Sequence, residues 1–463
     1  MRLLLGLTGF VVAIASALPA QAAVPLDLHG AVRYALAHDP AVLQRRATVA
    51  QNEATYAKDH AAEFPSLAGS LQNQLFKANP AYPGAFAQYG VTTSPVFSEN
   101  IAQIGATWNV YNGSLLQIQA QEAKRQVEAS RDDLQRSEQQ LAADVAAAWY
   151  NVVQQRVAVR LTEGDRAYQA ELLAAAQAQE RVGRVAGVDV LRAQVNALRS
   201  QAAYTSAVAG AENARESFAQ RIGAPATMQF AFPVALVEPP LPRTLVDALI
   251  ARALAARTDI AAERAQVALA RLADRAIESD RLPQLQLTGS FGNAEIPTTQ
   301  TTSAQFIPGI GLVPGISVVR NGFWQVGATE TFTVPLIEYG ARRAAHRAAH
   351  AQLDAAEAAL SSGESAVALE VRQDYRAVET ARANLATSNE ADQLGAESGR
   401  IAQLQYRNGL ISLTDATAAE QSALSAANDL VTARVAYLNA LVRLRAAVGV
   451  ADPVSVVDVG EPL

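Results

Sequence analysis

Apolar and polar residues recur along this chain with two periods, and the switches between them mark its elements. Leu26 to Ala37 has the spacing of a short amphipathic helix, Asp39-Pro40 breaks it, and Ala41 to Phe64 predicts a second helix that Pro65 stops. A period of two then takes over. In Ser66 to Leu75, Leu67, Leu71 and Leu75 stand against Ser70, Gln72 and Gln74; in Ile101 to Tyr111, Ala102, Ile104, Ala106, Trp108 and Val110 stand against Gln103, Thr107 and Asn109. Both read as strands with one apolar and one uncharged-polar face, joined by a Pro- and Gly-rich stretch that reads as a long loop. From Ser114 to about Glu180 no proline occurs, and Gly164 is the only glycine. Good helix formers dominate there, and Leu134, Leu141, Val145, Ala148 and Val152 make the seam of a packed helix. At about 1.5 Å per residue this predicts a rod of roughly 100 Å. Val182 to Gly187 is then a turn, and Val188 to Arg221 a return helix closed by Gly223 and Pro225.

After a connector rich in Pro and Phe, the same order recurs. Ala35-Leu36, Pro65 and Leu67 reappear as Ala253-Leu254, Pro283 and Leu285; Trp149, Gly183, Asp189, Leu198 and Gly223 reappear as Tyr375, Gly409, Asp415, Leu424 and Gly449. Strand alternation returns in Leu285, Leu287 and Phe291, and in Trp324, Val326, Ala328 and Phe332, where Glu330 stands among the apolar positions. Asn293 to Gly322 reads as a second irregular loop, Ala341 to about Tyr406 as a second long helix, and Leu413 to Val448 as its return. The expected organisation is a signal peptide at 1–22, a first repeat at 23–225 with strands at 66–75 and 101–111, and a connector at 226–243. A second repeat follows at 244–450 with strands at 285–292 and 324–334, then a tail at 451–463. In each half the two shorter helices, end to end, approach the length of the long one, so they predict antiparallel packing along it.

Composition adds the compartment. Met1-Arg2, the apolar run Leu3 to Ala17 and the small-x-small Ala20-Gln21-Ala22 form a secretory leader, with the mature chain expected from about Ala23. The sequence has no cysteine, which excludes lipidation at a mature N-terminal cysteine, disulfides and thiolate metal sites. Net charge is −6, or −7 without Arg2, which argues against nucleic acid as a partner. No later stretch approaches the roughly 20 apolar residues of a membrane helix, so a membrane would be crossed by strands. Four strands cannot close on themselves, and open edges are not tolerated in hydrocarbon. Two chains would give about eight strands with a filled interior; three would give about twelve and room for a polar lumen.

Two segments carry a family resemblance: Arg181-Val-Gly-Arg-Val-Ala-Gly-Val-Asp189 and Tyr406-Arg-Asn-Gly-Leu-Ile-Ser-Leu-Thr-Asp415. Each resembles the tip motif of the TolC family of outer-membrane efflux proteins, a glycine turn followed six residues later by Asp. Arg257-Thr-Asp resembles that family's Arg-Pro-Asp entry to the second repeat, with Thr258 in place of Pro, and Gly113 and Gly340 fit its entries to the long helices. The resemblance covers essentially the whole mature chain. It implies α plus membrane β-barrel architecture: tandem-duplicated helical hairpins in a periplasmic α-barrel, four strands per chain in a trimeric 12-stranded barrel. The partners it implies are two further copies, outer-membrane lipid, a periplasmic adaptor (membrane fusion) protein and an inner-membrane pump. The gate residues it implies are Asp189, Tyr406 and Asp415. The family's gate arginine is replaced by Ile411 and its further acidic position by Ala418, leaving Arg184 or Arg407 as basic substitutes.

Each candidate has a plainer reading. Asp189 and Asp415 stand where return helices begin, so helix capping and a charged pore ring are both open. Tyr406 is either gate or packing; Gly183, Arg184, Gly409 and Leu410 are either simple turns or the adaptor contact. Trp108 and Trp324, with Tyr82 and Tyr89, fit an interfacial aromatic belt or ordinary packing. His346 and His350, four apart, have metal-ligand spacing, but Arg342, Arg343 and Arg347 surround them with no carboxylate between, so no metal is expected. No catalytic or phosphate-binding motif and no cofactor fingerprint is present. The expected function is a passive exit duct for efflux or type I secretion; the alternative is a periplasmic coiled-coil scaffold without a channel.

Overall fold

The two halves of the chain build the same series of elements, with helices of nearly the same lengths. A computed structural model describes residues 26–77, 96–225, 227–233, 236–241, 244–279, 281–307, 311–335 and 339–460. The leader and Tyr82 and Tyr89 lie outside them. The first half runs α1 (Leu28–His38), α2 (Pro40–Ala61), β1 (Ser66–Lys77), β2 (Val96–Asn112), α3 (Leu115–Arg181) and α4 (Gly187–Arg221). The second runs α5 (Val246–Ala256), α6 (Thr258–Ser279), β3 (Gln284–Ile307), β4 (Gly311–Thr333), α7 (Ala341–Arg407) and α8 (Leu413–Val448), with a 3-10 turn at Val454–Val457. Both long helices have 67 residues, and both short pairs have 11 and 22. Asp39 shows how local chemistry sets a joint. Its N–H closes α1 on the Ala35 carbonyl, and its carboxylate accepts from the N–H groups of Ala41 and Val42, opening α2 with Pro40 in the first turn.

Two compact units cut across the duplication, each drawing segments from both halves. Among the described residues one comprises 26–43, 135–257 and 367–460, the other 44–134 and 258–366. In the first, Trp149, Phe218, Phe230 and Phe232 interlock, with Trp149 and Phe232 ring centres 4.4 Å apart, and the last turns of α8 bury Tyr437, Leu441, Leu444 and Val448. Arg257 is 4% exposed, donating to Glu370 at 2.5 Å and to the Ala447 carbonyl at 3.2 Å. It therefore satisfies an orphan carbonyl at the α8 C-terminus, where cationic groups are favoured. Gly449 ends that helix at φ +78°, and a Cβ there would come within 3.0 Å of Arg257 Cγ.

The second unit holds a four-stranded antiparallel sheet in the order β1-β2-β3-β4. Residues 293–322 are a correction to the expected loop. β3 continues to Ile307, and β4 starts at Gly311. Among the described residues of that stretch, Pro and Gly lie within the ladder. Pro297 pairs opposite Arg320, and Pro314 falls at the register shift between Thr302 and Gln305, a place where a missing N–H is tolerated. The Thr-rich run between them favours strand. Likewise Val96–Asn100, expected in the first loop, belongs to β2.

Candidate functional site

Sequence chemistry at two places positions the residues of interest: the turns joining the long helices to their returns, and the faces of the sheet. Both turns are built alike. Gly183 and Gly409 take φ +73°, a conformation that costs a side chain about 1–2 kcal/mol. Backbone bonds from Gly183 to Glu180 and from Arg184 to Gln179, and from Gly409 to Tyr406 and from Leu410 to Gln405, close the two long helices in matching Schellman turns. Val182, Arg184 and Leu410 are exposed there, and no atom lies within 4 Å of a Cβ placed on either glycine.

Neither aspartate is the cap itself. Ser412 caps α8: its Oγ accepts from the Asp415 N–H at 3.2 Å and donates to the Asp415 carboxylate at 2.7 Å. Asp415 is thereby held, exposed, over the positive end of α8. The N-cap of α4, Ala186, makes no side-chain cap, and Asp189, half-buried in the first turn, lies 3.5 Å from Arg192. Of the two basic substitutes, Arg407 binds Glu171 across from α7 to α3, where Gln403 also donates to it at 2.9 Å. Arg184 has no side-chain partner among the described residues.

Tyr406 is placed by packing. It is 2% exposed, in a cluster with Leu172, Ala176, Ala193, Leu413 and Ala416 drawn from all four helices. Its hydroxyl has no hydrogen-bond partner among the described residues, and burial, then the nearby Asp189 charge, raises its pKa. Gln179 donates to the Tyr406 carbonyl at 3.1 Å. Next to this cluster Tyr168 is pushed up to about 12 by burial and by Glu420, and Glu420 is itself raised by burial and by Asp165. Sequence reasoning did not single out Glu171, Gln179 or Glu420, because acidic and amide residues on a long helix carry no signal that separates a tip contact from a solvated face.

On the sheet, register places all the strand leucines on one side. Leu67 pairs with Ala106, Ile104 with Phe291, Trp108 with Leu287, and Phe291 with Val326. The result is one apolar face across four strands, highly exposed (Leu71 82%). The opposite face carries Gln72, Gln103, Thr107, Asn109, Gln286, Thr288 and Thr329, with Gln286 bonded to Asn109 at 2.9 Å. Glu330, unexplained by sequence, pairs with Leu287 in the row of Trp108. That row lies one step beyond the start of β1, and there the Trp108 indole donates to the Glu63 carbonyl. Trp324 lies six residues along β4 from it, stacked on Phe291 at 5.4 Å. A polar row of Asn73, Asn100 and Glu295 follows. From the Trp108 row to the Asn100 row is eight residues, about 27 Å along a strand, or about 20 Å in height at a tilt of about 40°.

The histidine pair corrects one premise. His346 and His350 do have a carboxylate beside them: Asp274 of α6, 72 residues upstream, is 2.9 Å from His346 Nδ1.

A two-faced antiparallel sheet joined to doubled helical hairpins defines an outer-membrane channel subunit. Among the described residues no helix is long and apolar enough to cross a membrane. The chain belongs to the outer membrane efflux protein family, whose profile matches residues 21–224 and 249–450. Protein CyaE of Bordetella pertussis is 24% identical over 380 residues, 79% of this chain and 72% of that protein. Outer membrane efflux protein BepC of Brucella suis biovar 1 is 27% identical over 331 residues, 70% of this chain and 68% of its own. The Campylobacter jejuni CmeC outer membrane channel shares the fold with TM-score 0.73 at 18% identity, covering 91% of this chain and 85% of that one. Family membership places the protein in the outer membrane, in a family whose members are channels, and favours a channel over the non-channel scaffold.

Proposed function

We propose that three copies of this chain form a passive exit duct through the outer membrane, serving a tripartite efflux or type I secretion system. The observation that carries this is the sheet, with one face apolar and exposed, the other polar, and an edge on β1 and on β4 that no strand of the chain covers. Edges in a bilayer must be paired, and three copies give about twelve strands around a polar lumen. Trp108 and Trp324 then mark the two rims of the apolar band. Exposed apolar seams support the same assembly. Val188, Leu191, Val195 and Leu198 on α4, and Leu394, Ile401 and Leu404 on α7, recur at coiled-coil steps. Two different seams on one chain suit a head-to-tail ring.

In that ring the helices form a periplasmic α-barrel. Asp189 and Asp415 become rings of three carboxylates near its end, drawing cations and repelling anions. Gly183, Arg184, Gly409 and Leu410 present the exposed turns to a periplasmic adaptor, itself bound to an inner-membrane pump that supplies the energy. Tyr406 acts from inside the tip cluster, setting how readily the helices part. Conductance of the purified protein in planar bilayers tests this. Asp189→Ala with Asp415→Ala is expected to raise resting conductance and reduce cation selectivity. Absence of a trimeric pore refutes the duct, and an unchanged conductance refutes the gate.

A further inference from the structure

We propose that Asp274, His346 and His350 form a site for one divalent transition-metal cation of the zinc type, tying α6 to α7. His346 and His350 are four residues apart on α7 and so share a face, with ring centres 6.4 Å apart. From α6, Asp274 Oδ1 reaches both, at 2.9 Å from His346 Nδ1 and 3.9 Å from His350 Nε2. The three donor atoms lie within 4.8 Å of one another. Ligand atoms each about 2.0–2.1 Å from a tetrahedral ion are about 3.4 Å apart. The observed 2.9 and 3.9 Å from Asp274 Oδ1 to the two imidazole nitrogens straddle that value.

A second carboxylate strengthens the assignment. Glu278 lies one turn on from Asp274, and its Oε1 is 3.5 Å from His346 Nε2, the ring nitrogen that the ion does not use. A carboxylate on the remote nitrogen is the usual support of a metal-bound histidine; it fixes the tautomer and raises ligand basicity. Exposure also fits. Asp274 and His346 are 26% and 25% exposed, while His350 and Glu278 are 63% and 65% exposed and leave an entry path and an open fourth position for water. Asp274 and Glu278 offset two of the three flanking α7 cations, Arg342, Arg343 and Arg347. Two imidazoles and one carboxylate suit zinc, copper or nickel, not the all-oxygen preference of calcium or magnesium. The site lies five residues before the end of α6 and five residues into α7. Bound metal would therefore tie the helix entering β3 to the helix leaving β4.

The test uses the full mature protein in detergent, stripped of metal, titrated with zinc chloride by calorimetry and with cobalt chloride by visible absorption. One equivalent per chain and the intense ligand-field bands of four-coordinate cobalt are expected, with no competition from magnesium. His350→Ala, at an exposed position that leaves folding intact, should remove the cobalt bands and weaken zinc at least about tenfold, and Glu278→Gln should weaken it about 10–100-fold. No saturable zinc binding, binding unchanged in His350→Ala, or a six-coordinate cobalt spectrum overturns the site and leaves His346–Asp274 a structural ion pair.

Discussion

Replacing Tyr406 with Phe removes one oxygen from the middle of the tip cluster and leaves the ring contacts with Leu172, Ala176, Ala193, Leu413 and Ala416 in place. The hydroxyl is buried and has no partner among the described residues, and a buried polar group left without a partner costs about 1–3 kcal/mol. Tyr406→Phe should therefore tighten the tip by about 1 kcal/mol, which lowers the open population about fivefold. Tyr406→Ala should loosen it by about 3–5 kcal/mol, since it empties the space of an aromatic ring. Hydrogen exchange followed by mass spectrometry reads this locally, because the Gly409 and Leu410 amides bond to the Tyr406 and Gln405 carbonyls and are released when the turn opens. Slower exchange in Tyr406→Phe and faster exchange in Tyr406→Ala are expected, with bilayer conductance moving in the same sense. Faster exchange in Tyr406→Phe would refute the reasoning, since the hydroxyl would then have a partner on a neighbouring copy and act as a latch and not as packing.

Burial and Asp165 hold the Glu420 pKa above its ordinary value near 4.5, so the folded tip favours the protonated acid. Its contribution is fully present below about that ordinary value and is lost as pH rises through the raised one, so the difference in tip exchange between wild type and Glu420→Gln should shrink on acidification from neutral; a difference that widens refutes it. Arg257→Met should cost about 2–3 kcal/mol, read as a lower melting temperature. That is below the about 3–5 kcal/mol of a fully buried pair, because Glu370 is 42% exposed and keeps Arg136 at 3.5 Å. Ile104→Arg, on the apolar face midway between the Trp108 and Asn100 rows, should cost about 2–4 kcal/mol and reduce outer-membrane assembly, whereas Gln103→Arg on the other face should assemble normally and shift ion selectivity; equal assembly of the two would refute the assignment of faces.

Helices were legible because their determinants are local. The bounds of α8 follow from the Ser412 cap and Gly449, and the 67-residue length of α3 from an unbroken run of helix formers. Strand faces were legible because alternation survives in Leu67, Leu71 and Leu75. Strand ends were not: Pro297 and Pro314 are breakers in isolation, and only pairing with the partner strand reveals a ladder that tolerates them. Among the site residues, glycine placed both turns, since φ near +73° demands it. The environment of Tyr406, with its unpaired hydroxyl, and the Asp274 beside His346 depend on which faces of separate helices meet, which no spacing within one segment encodes.

The parity of the sheet has a consequence for stoichiometry. Neighbouring staves run in opposite directions throughout, so a closed hoop needs an even total, and a chain contributing four satisfies that for any number of copies. Strand polarity is therefore silent about how many subunits join. In the proposed ring that choice rests with the wedge angle between the exposed seams of α4 and α7, so small residues exchanged for large ones at Leu191 or Ile401 are expected to alter the count.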